Sequence, residues 1–202
     1  MSPQIAELKP ATLNKYSELV GGRKVRDFEY YHLRGYGTSG HTTLEYFRTD
    51  GQQQDISGSV TTATHISNMV TSGKFDEPFI TTAIGVCFIP LATADNDKIA
   101  DTLAVLNSGQ LIFELNNIPI FWRTPIIRCG TVINYNGFAT TYGSSVTYGG
   151  LWSQIKPHSL DPFWFAEEGI TFKVDIKWST AVSISTASLL GVYLIGGKYF
   201  KS

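Results

Sequence analysis

Gly37-Thr38-Ser39-Gly40-His41 sets a serine two residues from a histidine, inside a glycine-rich stretch. A serine nucleophile needs a base within hydrogen-bond reach and a strained strand-to-helix turn that exposes its hydroxyl. The segment lacks G-x-S-x-G spacing and no helical pattern follows it, so Ser39 reads as a turn residue. Asp161 and the pair Glu167-Glu168 are the carboxylates from which an acid/base couple for glycoside hydrolysis can be drawn. Adjacent glutamates in a polar turn ahead of a strand read more simply as solvated. The four histidines, His32, His41, His65 and His158, show neither i, i+4 nor H-x-H spacing, and neither Cys87 nor Cys129 lies beside one. No metal-ligand set is therefore expected. No glycine-rich loop opens a helix to cradle a phosphate. The expectation is a chain that is not an enzyme and uses no cofactor and no small-molecule substrate.

Two further groups point to contacts rather than conversion. Phe163-Trp164-Phe165, with Trp152 upstream, is a dense aromatic run. Aromatic faces stack on sugars and bases, and they also fill cores and subunit contacts. The four residues are read first as core or subunit-contact residues, with a glycan- or base-stacking platform as the competing reading. Lys9, Lys15, Arg23, Lys24, Arg26 and Arg34 gather basic charge near the N-terminus, with Glu7, Glu18, Asp27 and Glu29 among them. The excess is small and reads as a mixed solvated surface. Lys9, Lys15, Arg23, Lys24 and Arg26 are assigned to contacts of an N-terminal arm. The net charge of -1 leaves no overall basic field to hold nucleic acid.

The elements that position these groups are strands. Ile170, Phe172, Val174, Ile176 and Trp178 alternate with Thr171, Lys173, Asp175 and Lys177, the period-two signature of a strand with one face on a core. Phe79–Ile89 carries Ile80, Ile84, Val86 and Phe88 on one face and the small Ala83, Gly85 and Cys87 on the other. Thr42–Phe47 and Ser188–Phe200 read as strands, and Gly58–Asn68 and Leu151–Phe165 as extended segments. Gln110–Leu115 and Ile118–Arg123 flank Asn116-Asn117 as a hairpin. Thr131–Tyr135 and Phe138–Thr141 flank Asn136-Gly137 as another. Asp50-Gly51 is a turn signal, and Tyr142–Gly150 reads as a surface loop. Ile99, Leu103 and Leu106, behind Asp95 and Asp97, give the single good amphipathic helix. Residues 1–40 read as an arm, with Leu13, Tyr16 and Val20 on one short helix or clip, stopped by Gly21-Gly22. Gly35, Gly37 and Gly40 make its flexible approach to the body.

About eight or nine strands and one helix, irregularly spaced, exclude a propeller and favour paired antiparallel sheets. The fold class is all-β: an antiparallel two-sheet β-sandwich of jelly-roll type with one short connecting helix, a lipocalin-like barrel being the competitor. The arm occupies 1–40 and the sandwich domain 41–202. Charged residues are 16% of the chain, against about 25% in ordinary domains. A surface short of charge suits one that meets other protein. Two cysteines make no disulfide framework and suit synthesis in a reducing compartment. No apolar run reaches the roughly 20 residues of a membrane span, and no leader pattern opens the chain. Neither classical secretion nor membrane integration is expected.

The order of segments carries a resemblance. Thr43-Leu44-Glu45-Tyr46-Phe47 is followed by Ser67-Asn68-Met69, by Gly73, and by Pro78-Phe79 opening a long strand. Gly109-Gln110-Leu111-Ile112-Phe113 comes next, and Leu190-Gly191-Val192-Tyr193-Leu194-Ile195-Gly196-Gly197 closes the pattern. Over residues 42–200 this resembles the single jelly-roll coat proteins of tailless icosahedral bacterial viruses. The resemblance implies a capsid subunit in the virion, made in the host cytoplasm, with no catalytic residues. Its partners would be copies of itself, other virion proteins, and an underlying membrane or genome. Two rivals stand beside it: a carbohydrate- or receptor-binding sandwich using Trp152 and Trp164, and an enzyme on a cupin-like scaffold.

Overall fold

A computed structural model describes residues 7–8, 24–48, 61–62, 64–116, 118–129, 138–142, 145–149 and 157–200. The chain runs through β1 (Glu7–Leu8), β2 (Lys24–Tyr36), β3 (Thr43–Tyr46), β4 (His65–Ser67) and β5 (Phe79–Ile89) before its helix α1 (Asp95–Ser108). The hairpin β6 (Gly109–Leu115) and β7 (Ile118–Pro125) leads into a 3-10 turn at Ile126–Cys129. A second hairpin, β8 (Phe138–Tyr142) and β9 (Ser145–Gly149), precedes β10 (His158–Ala166), β11 (Phe172–Trp178) and β12 (Ser188–Phe200). All named strand pairs are antiparallel.

The strands form a six-stranded sheet in the order β1-β10-β5-β12-β2-β4 and a four-stranded sheet in the order β3-β11-β6-β7, with β8-β9 as a separate ribbon. The protein is an all-β two-sheet sandwich. Alternation decides which side of each strand is buried. On β11, Phe172, Val174, Ile176 and Trp178 face the other sheet at 5% exposure or less. Lys173 and Lys177 stand in solvent. Inward from the six-stranded sheet come Tyr30, Tyr36, Ile84, Val86, Phe88, Leu190, Val192 and Leu194, members of the same buried cluster.

Strand β12 is the spine of the larger sheet. It pairs with β2 from Ser188↔Tyr36 to Phe200↔Lys24, and on its other side with β5. The β5 register slips between Ile195 and Gly196, where Thr82 is the extra residue. The Thr82 hydroxyl donates to the Ile195 carbonyl at 3.1 Å. A Cβ at Gly196 would fall 1.6 Å from the Ile80 carbonyl oxygen, so the bulge requires glycine there.

Aromatic rings join the sheets. Phe75 lies nearly parallel to Phe172 at 4.3 Å and to Phe79 at 5.4 Å, and Phe172 lies nearly parallel to Phe113 at 6.0 Å. Beside Phe79, Lys198 is buried at 6% exposure. Its ammonium meets Asp76 at 2.8 and 3.0 Å and sits 4.0 Å over the Phe28 ring. The Tyr30 hydroxyl also donates to Asp76. A buried ammonium needs a partner of this kind to be tolerated.

Several expectations are corrected. The arm of residues 1–40 does not extend to its stated end: Lys24–Tyr36 is a strand of the larger sheet, and Gly35 is buried within it. Its alternation, with Phe28, Tyr30, His32 and Tyr36 on the core side, is masked by polar and charged residues. The helix forms over the expected span, but its buried face carries Asp101, Val105 and Leu106, while Leu103 is 38% exposed. Asp101 accepts from the Ser185 amide and from its hydroxyl at 2.6 Å, which turns this face inward. Phe138–Tyr142 pairs with Ser145–Gly149, so part of the expected loop is a strand, carried by the strand-forming run Val146-Thr147-Tyr148; Thr131–Tyr135 lies outside the described residues. Asp50-Gly51, Asn136-Gly137 and the Leu13–Val20 segment lie outside the described residues, as do residues 58–60 of the extended segment expected there. Within that segment, β4 is confined to His65–Ser67.

Two outcomes are expected. Phe172→Ala should lower unfolding free energy by about 3–5 kcal/mol in urea titrations, since it empties the middle of the ring stack. Burial pushes the Asp76 carboxyl up, but hydrogen bonds from Lys198 and Tyr30 outweigh this and hold it below its ordinary value. The stability this confers is present above the unfolded pKa near 4 and is lost as pH falls through the lower folded value. Asp76→Asn should therefore be less stable at neutral pH and show a shallower loss of melting temperature below about pH 4.

Candidate functional site

The register of β3 on β11 sets Glu45 opposite Asp175. Like charges directly across a strand pair repel. Arg48, just past β3, bridges them: its guanidinium lies 2.9 Å from the Glu45 carboxylate and 3.2 Å from Asp175 Oδ1. Asp175 is only 6% exposed although it belongs to the outward face of its strand. Burial pushes its carboxyl up, Arg48 pulls it down and Glu45 pushes it up again, leaving it above its ordinary value. One residue pair along, Lys173 stands across from Glu114, with the ammonium 3.5 Å from the carboxylate.

Arg48, Glu114 and Lys173 share an open concavity of about 370 Å³ with Ser72, Gly73, Thr171 and Phe172. Charges of both signs line it, beside Phe172, a residue of the core cluster. Such a surface suits docking by a polar, charge-complementary partner. The alternation on β11 pointed to this polar face. The clamp on Asp175 was not legible, because Arg48 is far from it in sequence and β3–β11 pairing is a long-range event.

The aromatic platform is corrected by burial. Trp164 is 7% and Phe163 9% exposed. Trp164 packs on Phe113, Phe121 and Trp122 at ring distances of 5.0, 5.1 and 5.4 Å, wedged between the sheets. Phe165 is half-buried and meets Tyr199 edge-on at 5.9 Å. The register slip of β10 between Ser159 and Trp164 interrupts simple alternation, so Phe163 and Trp164, neighbours in sequence, are both buried. Trp152 lies outside the described residues.

The arm contacts divide likewise. Lys9, Lys15 and Arg23 lie outside the described residues. Lys24 and Arg26 belong to β2, opposite Phe200 and Lys198, and the Arg26 side chain is exposed.

Ser39 is exposed in a turn, and the His41 ring is not turned on it: Nε2 accepts from the Gly37 amide at 3.3 Å. Asp161, Glu167 and Glu168 stand in solvent. Among the described residues, no three His, Cys, Asp or Glu side chains are grouped to hold a metal ion. Both thiols are buried and free. Burial pushes Cys87 up to about 11 and Cys129 up to about 12, so each stays a protonated, unreactive thiol at neutral pH. Among the described residues, no helix is long and apolar enough to cross a membrane. Comparison of the chain with family models, curated proteins and solved structures finds no match.

Arg48→Ala should leave Asp175 beside Glu45 without its counter-charge. The Asp175 carboxyl should titrate at higher pH by side-chain NMR. The stability cost should be modest, about 1 kcal/mol, because Arg48 is part-exposed.

Proposed function

We propose that the chain is a structural virion protein, a jelly-roll capsid subunit of a tailless icosahedral bacterial virus that assembles with copies of itself. The observation that carries this reading is the strand order. Leaving aside the edge strands β1 and β4, the sheets read β10-β5-β12-β2 and β3-β11-β6-β7. Among these eight strands the chain passes from one sheet to the other at β2–β3, β3–β5, β5–β6, β7–β10, β10–β11 and β11–β12. Eight strands in two four-stranded layers, repeatedly exchanging sheets, support the jelly-roll reading, the doubled Greek key of viral coat proteins, lectin domains and cupins. Fold is shared by all three classes and does not choose among them.

The choice rests on the surfaces. The cupin-like enzyme reading calls for a metal or an acid pair in a cleft, and Asp161, Glu167 and Glu168 stand in solvent instead. The glycan-binding reading loses Trp164 and Phe163 to the core. A low share of charge and an alternating-charge face on the smaller sheet favour contacts with other protein. In a closed shell such contacts need not be strong one by one, because symmetry multiplies them.

Electron microscopy and sedimentation of the purified chain over rising concentration provide the test. Closed particles of uniform diameter, or many copies per purified virion, are expected. A chain that sediments as a monomer at every concentration and is absent from the particle shell overturns the reading. Glycan-array binding by such a monomer would move it to the lectin class.

A further inference from the structure

We propose that His32 is an acid-sensitive latch whose protonation releases the Phe47–Arg48 turn and opens the polar concavity on the smaller sheet. The inference rests on the geometry around this ring and is independent of what the chain assembles into.

His32 lies on β2 at 1% exposure. Its Nδ1 accepts from the Phe47 amide at 2.6 Å. A neutral imidazole has one acceptor and one donor nitrogen, so the ring proton sits on Nε2. That nitrogen is buried with no hydrogen-bond partner among the described residues. The ring is thus held through Nδ1 alone, on the nitrogen that must take up the next proton. Once Nδ1 carries hydrogen it faces the Phe47 N–H donor to donor, and the bond cannot persist.

The surroundings give the new charge no relief. The titratable and charged groups facing the ring are Arg34 on its own strand, Tyr46 on β3 and His65 on β4. The Tyr46 and His65 rings lie 5.8 and 6.2 Å away. Arg34 donates to the Glu45 carbonyl at 2.8 Å, and the Glu45 and Asp175 carboxylates are both held by Arg48. Burial, then Arg34 and His65, lower the imidazole to about 3. The folded value lies below the unfolded value near 6.5, so the stabilisation is full above 6.5 and drains as pH falls toward 3.

Phe47 is the moving part. Its φ of 60° is a left-handed conformation that a bulky residue adopts only under restraint. The restraints are His32 Nδ1, the Gly73 amide donating to the Phe47 carbonyl at 2.6 Å, and ring contact with Phe172 at 5.4 Å. Gly73 in turn accepts from the Phe172 amide at 2.9 Å, and both residues line the concavity with Arg48. Loss of the His32 tether removes one of three restraints from a strained residue whose neighbour clamps Glu45 and Asp175.

Amide hydrogen exchange of the full chain, corrected for intrinsic rates, tests the latch. Between about pH 6 and pH 4, protection at Phe47 and Gly73 should fall roughly fiftyfold or more, since opening gains nearly tenfold per pH unit in this window. Val86 and Val192, in central strands that open only with global unfolding, share the linked loss but should stay far more protected than Phe47 and Gly73 at every pH. His32→Asn keeps an acceptor near the Nδ1 position without titrating there and should flatten the response. Unchanged protection at Phe47, protection at Phe47 equal to that at Val86 and Val192, or the same response in a folded His32→Asn protein would overturn the proposal. If His32→Asn does not fold, the wild-type contrast between Phe47 and Val192 decides alone.

Discussion

Contact between rings across the sandwich is the constraint on which the rest of the structure depends. Phe79 and Trp164 belong to the larger sheet, Phe172 and Phe113 to the smaller, and Phe75 lies between them. Sheets pack about 10 Å apart, which aromatic side chains can bridge with few partners. Because the rings come from the paired strands β5 and β10 of one sheet and β6 and β11 of the other, they fix the relative position of two layers that share no strand pairing. The loop carrying Phe75 is held by the same stack, which sets Asp76 against Lys198.

Polar chemistry follows from where this apolar belt ends. At the Phe28 and Tyr30 end it meets Lys198 and Asp76, and the buried charges answer each other. At the Phe47 edge it meets His32, where one nitrogen is answered and, among the described residues, the other is not. The two ends differ in tolerance. A satisfied pair rigidifies its surroundings, whereas a half-satisfied buried polar group is a weak point. The outward face of the smaller sheet differs again, since its charges are shared with water and contribute more to selecting a partner than to stability.

Strands with uniform alternation were legible from residue types alone. Phe79–Ile89 and the β11 core are found at or near their expected limits. What was not legible depends on non-local terms. Lys24–Tyr36 carries Asp27, Glu29, His32 and Arg34 among its aromatics, and it reads as an arm until β12 is known to lie beside it. The inward face of α1 is chosen by Asp101 bonding to Ser185, a contact that helical periodicity cannot anticipate. Trp164 was open to both a core and a platform reading because sequence marks aromatic richness without direction, and a register slip in β10 leaves both Phe163 and Trp164 buried. His32 carried no motif at all. Its character comes from being sealed between Tyr46, Phe47 and His65.

The central position of β12 has a kinetic consequence. Strands β2 and β5 are each synthesised long before Ser188–Phe200, yet both use it as a neighbour. Until it arrives, each presents an open edge of amides and carbonyls beside apolar side chains. Non-local pairing of this kind slows folding, and unpaired edges are where nascent chains stick to one another. Whatever protects those edges during translation governs how much of the protein reaches its native state.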